Sequence, residues 1–279
     1  MAQLIDVWDL STFDDALLSM LKDHAQLIRN YRAESVRLDR EREAQSPRGP
    51  YKENRFGPAL MAFREAMTEL MSERTIRAWH FTRLTAGERA IIREAGMQPM
   101  TLALIARRLD AAVAAGDLDR DLADQLYAEC PFHRQIEGSR ENKIWLTAQP
   151  YPLDDSGVEE LLDRWGGESI SFVHRDGAVL DRLQQVGSGC VLEIALPLRV
   201  TTRVGEAAQN VIDAFSASIG VDGGWGGGAD MVAVRPVEPE WIIAIHCEGD
   251  PTFEAIGRGY PASFVADPDQ FQPGYTPVQ

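Results

Sequence analysis

The run Trp79-His80-Phe81-Thr82 is the first place where residue type and spacing could do chemistry. If it is a strand, alternation puts the imidazole and the hydroxyl on one face and the two aromatic rings on the other. A neutral imidazole offers one donor and one acceptor, so His80 beside Thr82 can orient a ligand. A hydrogen-bonded core histidine is the competing reading. A second place is Glu168, which follows Gly166-Gly167. Read as a strand over Glu168–Val173, the segment would put Glu168 on one face, and His174 would share that face if the strand continued. That pattern leaves open a hydrolase on another α+β fold.

Other chemistries are disfavoured. Five histidines and three cysteines include no H-x-x-x-H and no C-x-x-C. Cys130-Pro-Phe-His133 is half a zinc spacing without its other half, so no metal site is expected. No G-x-S-x-G elbow is present, and Ser188, between glycines, reads as a turn before a strand. Five glycines fall between Gly223 and Gly228, but no lysine follows, and a strand comes next instead of a helix. The run is therefore no triphosphate cradle, and reads either as a plain connector or as a loop that shapes a site.

Several elements must hold these residues. Ser11 and Asp14 resemble a helix start, and Leu17, Leu21, His24, Ile28 and Tyr31 share one helical face. Prolines and glycines over 44–58 break that helix, and Pro58 suits the first turn of the next. Leu60, Phe63, Met67 and Leu70 make its apolar stripe. After the strand over 76–84, Thr85 and Glu88 form a capping box. Ile91 and Ile92 supply the buried side of a short helix, Gly96 gives it a left-handed end, and Pro99 blocks continuation. A helical insert follows around 101–130. Short strands are expected at Asn142–Ala148, Cys190–Leu198, Asp230–Pro236 and Glu240–Glu248. The last dozen residues are expected to be loosely held. The organisation is a helical N-terminal arm over 1–56 and an α+β domain over 57–279.

The chain has 279 residues, 44% hydrophobic, with a formal net charge of −15. It is long enough to bury a sizeable core. The acidic balance disfavours nucleic acid as a partner. No apolar run approaches a membrane span, and the start carries no basic n-region. Three widely spaced cysteines make no disulfide framework. A cytoplasmic location with reduced thiols is expected.

The piece "WHFTRLTAGERAIIREAGMQP" resembles the first motif of the ADP-ribosyltransferase-like superfamily, in its His-containing branch, which includes the poly-ADP-ribose polymerases and bacterial toxins that modify DNA bases. "GGGADMVAVRPVEPEWIIAIH" resembles that branch's end region, and "KIWLTA" sits where its second strand motif falls. The likeness spans Arg77 to His246. It implies a split antiparallel β-sandwich of ADP-ribosyltransferase type, with an N-terminal helical extension and a helical insert, that holds NAD as substrate. His80 would bond the ribose beside nicotinamide, Thr82 would help fix the ligand, and Trp145 or Tyr151 would form a stacking wall. A carboxylate would steady the cation that forms as nicotinamide leaves. Asp230 stands where the family carries a glutamate and is one methylene shorter; Glu168 is the alternative. The acceptor would be an unknown protein or small molecule, a toxin or phage-defence role follows by family analogy only, and the N-terminal helices could join copies of the chain. A non-catalytic nucleotide- or partner-binding module on the same fold is the other reading.

Overall fold

The computed structural model describes residues 3–44, 52–134, 140–221 and 230–257. The glycine-rich run at 222–229, most of the proline/glycine break and the C-terminal tail lie outside the described residues. A two-residue strand β1 (Leu4–Ile5) precedes helices α1 (Asp15–Ala44) and α2 (Gly57–Ser72). Strand β2 (Thr75–Leu84) leads into α3 (Ala86–Ala95), α4 (Leu102–Ala115) and α5 (Arg120–Ala128). Then come β3 (Ile144–Thr147), α6 (Ser156–Asp163), the single turn α7 (Gly167–Ile170) and α8 (Gly177–Gln184). The chain continues with β4 (Ser188–Pro197), α9 (Val204–Ser218), β5 (Asp230–Ala233), β6 (Ile242–Cys247) and α10 (Pro251–Gly257).

The local signals act as their chemistry requires. Asp14 accepts from the Leu17 amide at 2.9 Å and opens α1. Pro58 occupies the first turn of α2. Thr85 accepts from the Glu88 amide, and the Glu88 side chain accepts from the Thr85 amide, which completes the capping box. Thr101 caps α4, and Gly116 ends it in the left-handed conformation. Gly96 has φ +71° but ψ −166°, so it is no left-handed helical cap. It needs glycine for a different reason: a Cβ there would stand 2.0 Å from the Val237 carbonyl. Ile92 packs on the core, whereas Ile91 is 59% exposed and is not on the buried side.

The described strands form one six-stranded sheet in the order β5-β3-β2-β4-β6, with β1 parallel to the start of β2. All other pairs are antiparallel. The fold is therefore α+β. α1, α2 and α9 cover one face, where Leu17, Leu21, Phe63, Met67 and Val211 meet Ile76, Leu192, Leu196 and Leu146. A smaller cluster on the other face sets Trp79, Phe81 and Val191 against α6 and α10. A third core joins α4, α5, α7 and α8 around Trp165.

Two larger expectations also change. A separable arm over 1–56 does not fit this packing. β1 is in the sheet, Leu17, Leu21 and Ile28 are fully buried, and His24 stacks on Phe63 at 4.3 Å. The apolar stripe of α1 finds its partner in the body itself. A strand over Glu168–Val173 is also absent: α7 and a following 3-10 turn occupy it. Gly166 and Gly167 have positive φ and bend the chain, and the hydroxyls of Ser169 and Ser171 donate back to the carbonyls of Gly166 and Gly167 at 3.0 Å. These local bonds hold a helical turn where β-branched and aromatic residues suggest extension.

Candidate functional site

β2 pairs with β4 along its whole length, but one registered pair, Trp79 with Thr147, joins it to β3. Past that pair the ladder opens, and the His80 side chain spans the opening. Its Nδ1 lies 2.6 Å from the Trp145 carbonyl. A carbonyl only accepts, so Nδ1 carries the proton and Nε2 keeps a lone pair. Burial pushes the His80 pKa down, the Trp145 carbonyl opposes this, and the charge of Arg108 pushes it down further. His80 is thus a neutral imidazole of fixed tautomer, with the lone pair on Nε2.

The alternation read from sequence holds: Trp79 and Phe81 pack beneath α6, while Ala78 and Leu84, the neighbours of His80 and Thr82 in the alternation, belong to the opposite core. Thr82 lies opposite Cys190 in the register and is half-buried. Trp145 and Thr147 face the other side of the sheet with their cross-strand partners Val232 and Asp230. Tyr151 packs against both cores. Burial raises its pKa, with the charge of Asp230 among the smaller causes. Asp230 itself is exposed.

Glu168 is reached through a residue that the sequence reading passed over. Arg140 binds both carboxylate oxygens, at 2.7 and 2.6 Å, and its guanidinium lies 3.7 Å from the centre of the Trp145 ring. Arg203 stands 6.0 Å from the same ring. Among the described residues, the indole Nε1 of Trp145 is buried without a hydrogen-bond partner. Glu168, Arg140, Trp145 and His80 therefore form one chain of contacts. His174 does not join it: its Nδ1 is 3.1 Å from Glu129, and the shared strand face that would pair it with Glu168 does not exist.

At the end of β2 lies a second group. Glu88 on α3 accepts from Arg108 Nε at 2.6 Å, Trp165 Nε1 at 2.9 Å and the Thr85 amide at 2.8 Å. Burial alone would raise the Glu88 pKa, yet these partners hold it below the ordinary value. Arg108 also sits over the Trp165 ring at 4.8 Å. The node ties the helical core to the strand that carries His80. On the sheet beyond it, Arg77 bridges Asp6 at 2.8 Å and Glu193 at 2.6 Å, and His246 lies 3.2 Å from Glu193.

Arg108 and Arg140 pair with residues 20 and 28 positions away, so no local spacing announces them. Chemically, one side of the opening offers a neutral acceptor at His80, and the other side of the sheet offers the indole N–H and ring of Trp145 with the guanidinium groups of Arg140 and Arg203. That set suits a ligand with hydroxyls, a flat ring and negative charge. Among the described residues no cluster of three or more His, Cys, Asp or Glu could hold a metal ion, and no helix is long and apolar enough to cross a membrane. Compared with family models, curated proteins and solved structures, the chain matches none of them.

Proposed function

We propose that the protein binds NAD in the opening between β2 and β3 and transfers its ADP-ribosyl group to an acceptor, as an enzyme of ADP-ribosyltransferase type on the split-sandwich variant of this α+β architecture. The observation that carries this reading is the Nδ1 bond of His80 to the Trp145 carbonyl at 2.6 Å. It directs a neutral Nε2 acceptor at a ligand hydroxyl, as a ribose requires. Thr82, on the same strand face as His80, helps fix the ligand, which passes through the opening so that nicotinamide stacks on Trp145 or Tyr151 toward the other side of the sheet.

The guanidinium of Arg140 now covers the Trp145 ring. Stacking of nicotinamide on Trp145 displaces it and loosens its grip on Glu168, freeing that carboxylate. The bond to nicotinamide breaks through an oxocarbenium-like state, and a fixed carboxylate lowers its energy. Glu168 has the reach; Asp230 has the position at the head of β5. Removing such a partner typically lowers kcat by about 10²–10³, with little change in NAD affinity, because the interaction strengthens mainly in the transition state.

The test is release of nicotinamide from NAD by the pure protein, alone and with cell extract, for wild type, Glu168→Gln and Asp230→Asn. One amide variant is expected to lose rate and the other to keep it. If NAD is turned over and both variants run at wild-type rates, neither carboxylate has this role.

A second reading has its own support. Glu168 is held by two bonds to Arg140 and Asp230 is short, so the opening would bind a nucleotide without turning it over. Measurable NAD affinity without nicotinamide release would favour it.

A further inference from the structure

Cys190 on β4 and Cys247 on β6 lie directly opposite each other in the register, 57 positions apart in sequence. Their sulfur atoms are 3.0 Å apart. The Glu248 amide donates to the Gly189 carbonyl at 2.9 Å, which makes Gly189–Glu248 a hydrogen-bonded pair and Cys190–Cys247 a non-hydrogen-bonded one. Pairs of that kind bring Cα atoms to about 4.5 Å, inside the range of about 4.4–6.8 Å that a disulfide spans. No strand has to move for the bond to form.

The two thiols differ in access. Cys190 is fully buried, whereas Cys247 is partly exposed and sits on the edge strand of the sheet. Cys190 also lies beside Arg89 and donates to the Ser188 carbonyl at 3.4 Å. Cys130, the remaining cysteine, is buried in the helical core around Trp165.

We propose that Cys190 and Cys247 are a peroxide-oxidisable pair that closes a covalent bridge between β4 and β6. A hydroperoxide first reaches Cys247. Its O–O bond breaks, an S–O bond forms, and the thiol becomes a sulfenic acid while the peroxide leaves as an alcohol or water. The Cys190 sulfur then attacks Cys247 Sγ. The S–S bond forms, the S–O bond breaks, and the hydroxyl leaves as water with the Cys190 proton. Two electrons pass from the sulfur pair to the peroxide. Burial and the neighbouring Cys247 thiol push the Cys190 pKa up to about 12. Oxidation of Cys247 to an uncharged sulfenic acid removes the charge that a Cys247 thiolate would set against Cys190, and Arg89 favours the Cys190 thiolate. The bridge would form beside Thr82, which faces Cys190 across β2 and β4, and would enclose the segment that carries Asp230.

The test treats the full reduced chain with a slight excess of hydrogen peroxide, then alkylates it and measures intact mass and a non-reduced digest. The expected result is a loss of about 2 Da, one alkylatable thiol left out of three, and a single cross-linked peptide joining Cys190 to Cys247 that dithiothreitol releases. Cys130→Ser should form the same cross-link and leave no alkylatable thiol, and Cys247→Ser should show no cross-link. Retention of three alkylatable thiols would overturn the proposal. So would a gain of about 32 Da on Cys247 without a cross-link, or a bridge to Cys130.

Discussion

Two carboxyl groups buried in different halves of the molecule have opposite charge behaviour. Asp213 lies on α9 in the sheet half, and burial pushes its pKa up to about 7, against a single bond from Gln209 and a distant Arg64. Glu88 lies at the edge of the helical half, where three donors and the Arg108 charge keep it below its ordinary value. Neither is open to solvent, so depth does not separate them; the supply of partners does. α9 is short of partners along one turn: among the described residues, both amide atoms of Asn210 and Oε1 of Gln209 are buried and unpaired. The candidate site sits beside the satisfied node, where Arg108 is fixed and its charge helps keep His80 neutral.

The largest expected effect comes from breaking the satisfied half. Glu88→Ala strands a buried guanidinium and uncaps α3, and should cost about 3–5 kcal/mol, read by denaturant unfolding. A loss under about 1 kcal/mol would mean that the node behaves as a surface ion pair.

Asp213→Asn should have the opposite sign. A carboxyl whose folded pKa is raised holds its proton in the native state while the unfolded chain releases it. Its contribution is full below the unfolded pKa near 3.8, and is lost as pH rises toward about 7. Asp6, raised to about 6 chiefly by burial, adds to the same trend. The asparagine variant should gain on the order of a few kcal/mol at pH 8 and lose most of the decline between pH 4 and 7. Glu88 runs the other way: its stabilisation is present above its unfolded pKa and is lost as pH falls. Hydrogen exchange should therefore quicken in α9 at pH 8, and in α3 and α4 at acid pH. The same pH trend in both halves would erase the distinction.

The smallest effect is at the cap. Thr85→Ala removes one of two capping bonds and leaves the Glu88 node standing, and should lower stability by about 1 kcal/mol. A much larger loss would show that α3 and the node fail together.

How far the sequence discloses this arrangement depends on the range of each interaction. The capping box at Thr85 and Glu88, the threonine start and glycine stop of α4, and the split of His80 and Thr82 from the aromatic rings are local, and all are legible. The turn at α7 misleads, because serine bonds to the carbonyls of a glycine pair override the β propensity of "ESISFV". α9 leaves little signal, since Gln209, Asn210, Asp213 and Ser216 are buried and blur the apolar stripe that marks a helix. Arg108 and Arg140 matter through long-range pairs, and only the fold brings these together. The place of Glu168 in the site is likewise visible only through Arg140.

The central claim is that the opening between β2 and β3 takes NAD through His80. Calorimetric titration of NAD into wild type and His80→Ala, with the melting temperature of each measured alongside, tests it most directly. The account predicts saturable binding to wild type, and loss of at least about tenfold in affinity for the variant, one hydrogen bond at 1.4 kcal/mol, with melting held within a few degrees. No binding to wild type, together with a His80→Ala chain that unfolds, would contradict it and leave His80 as a core histidine.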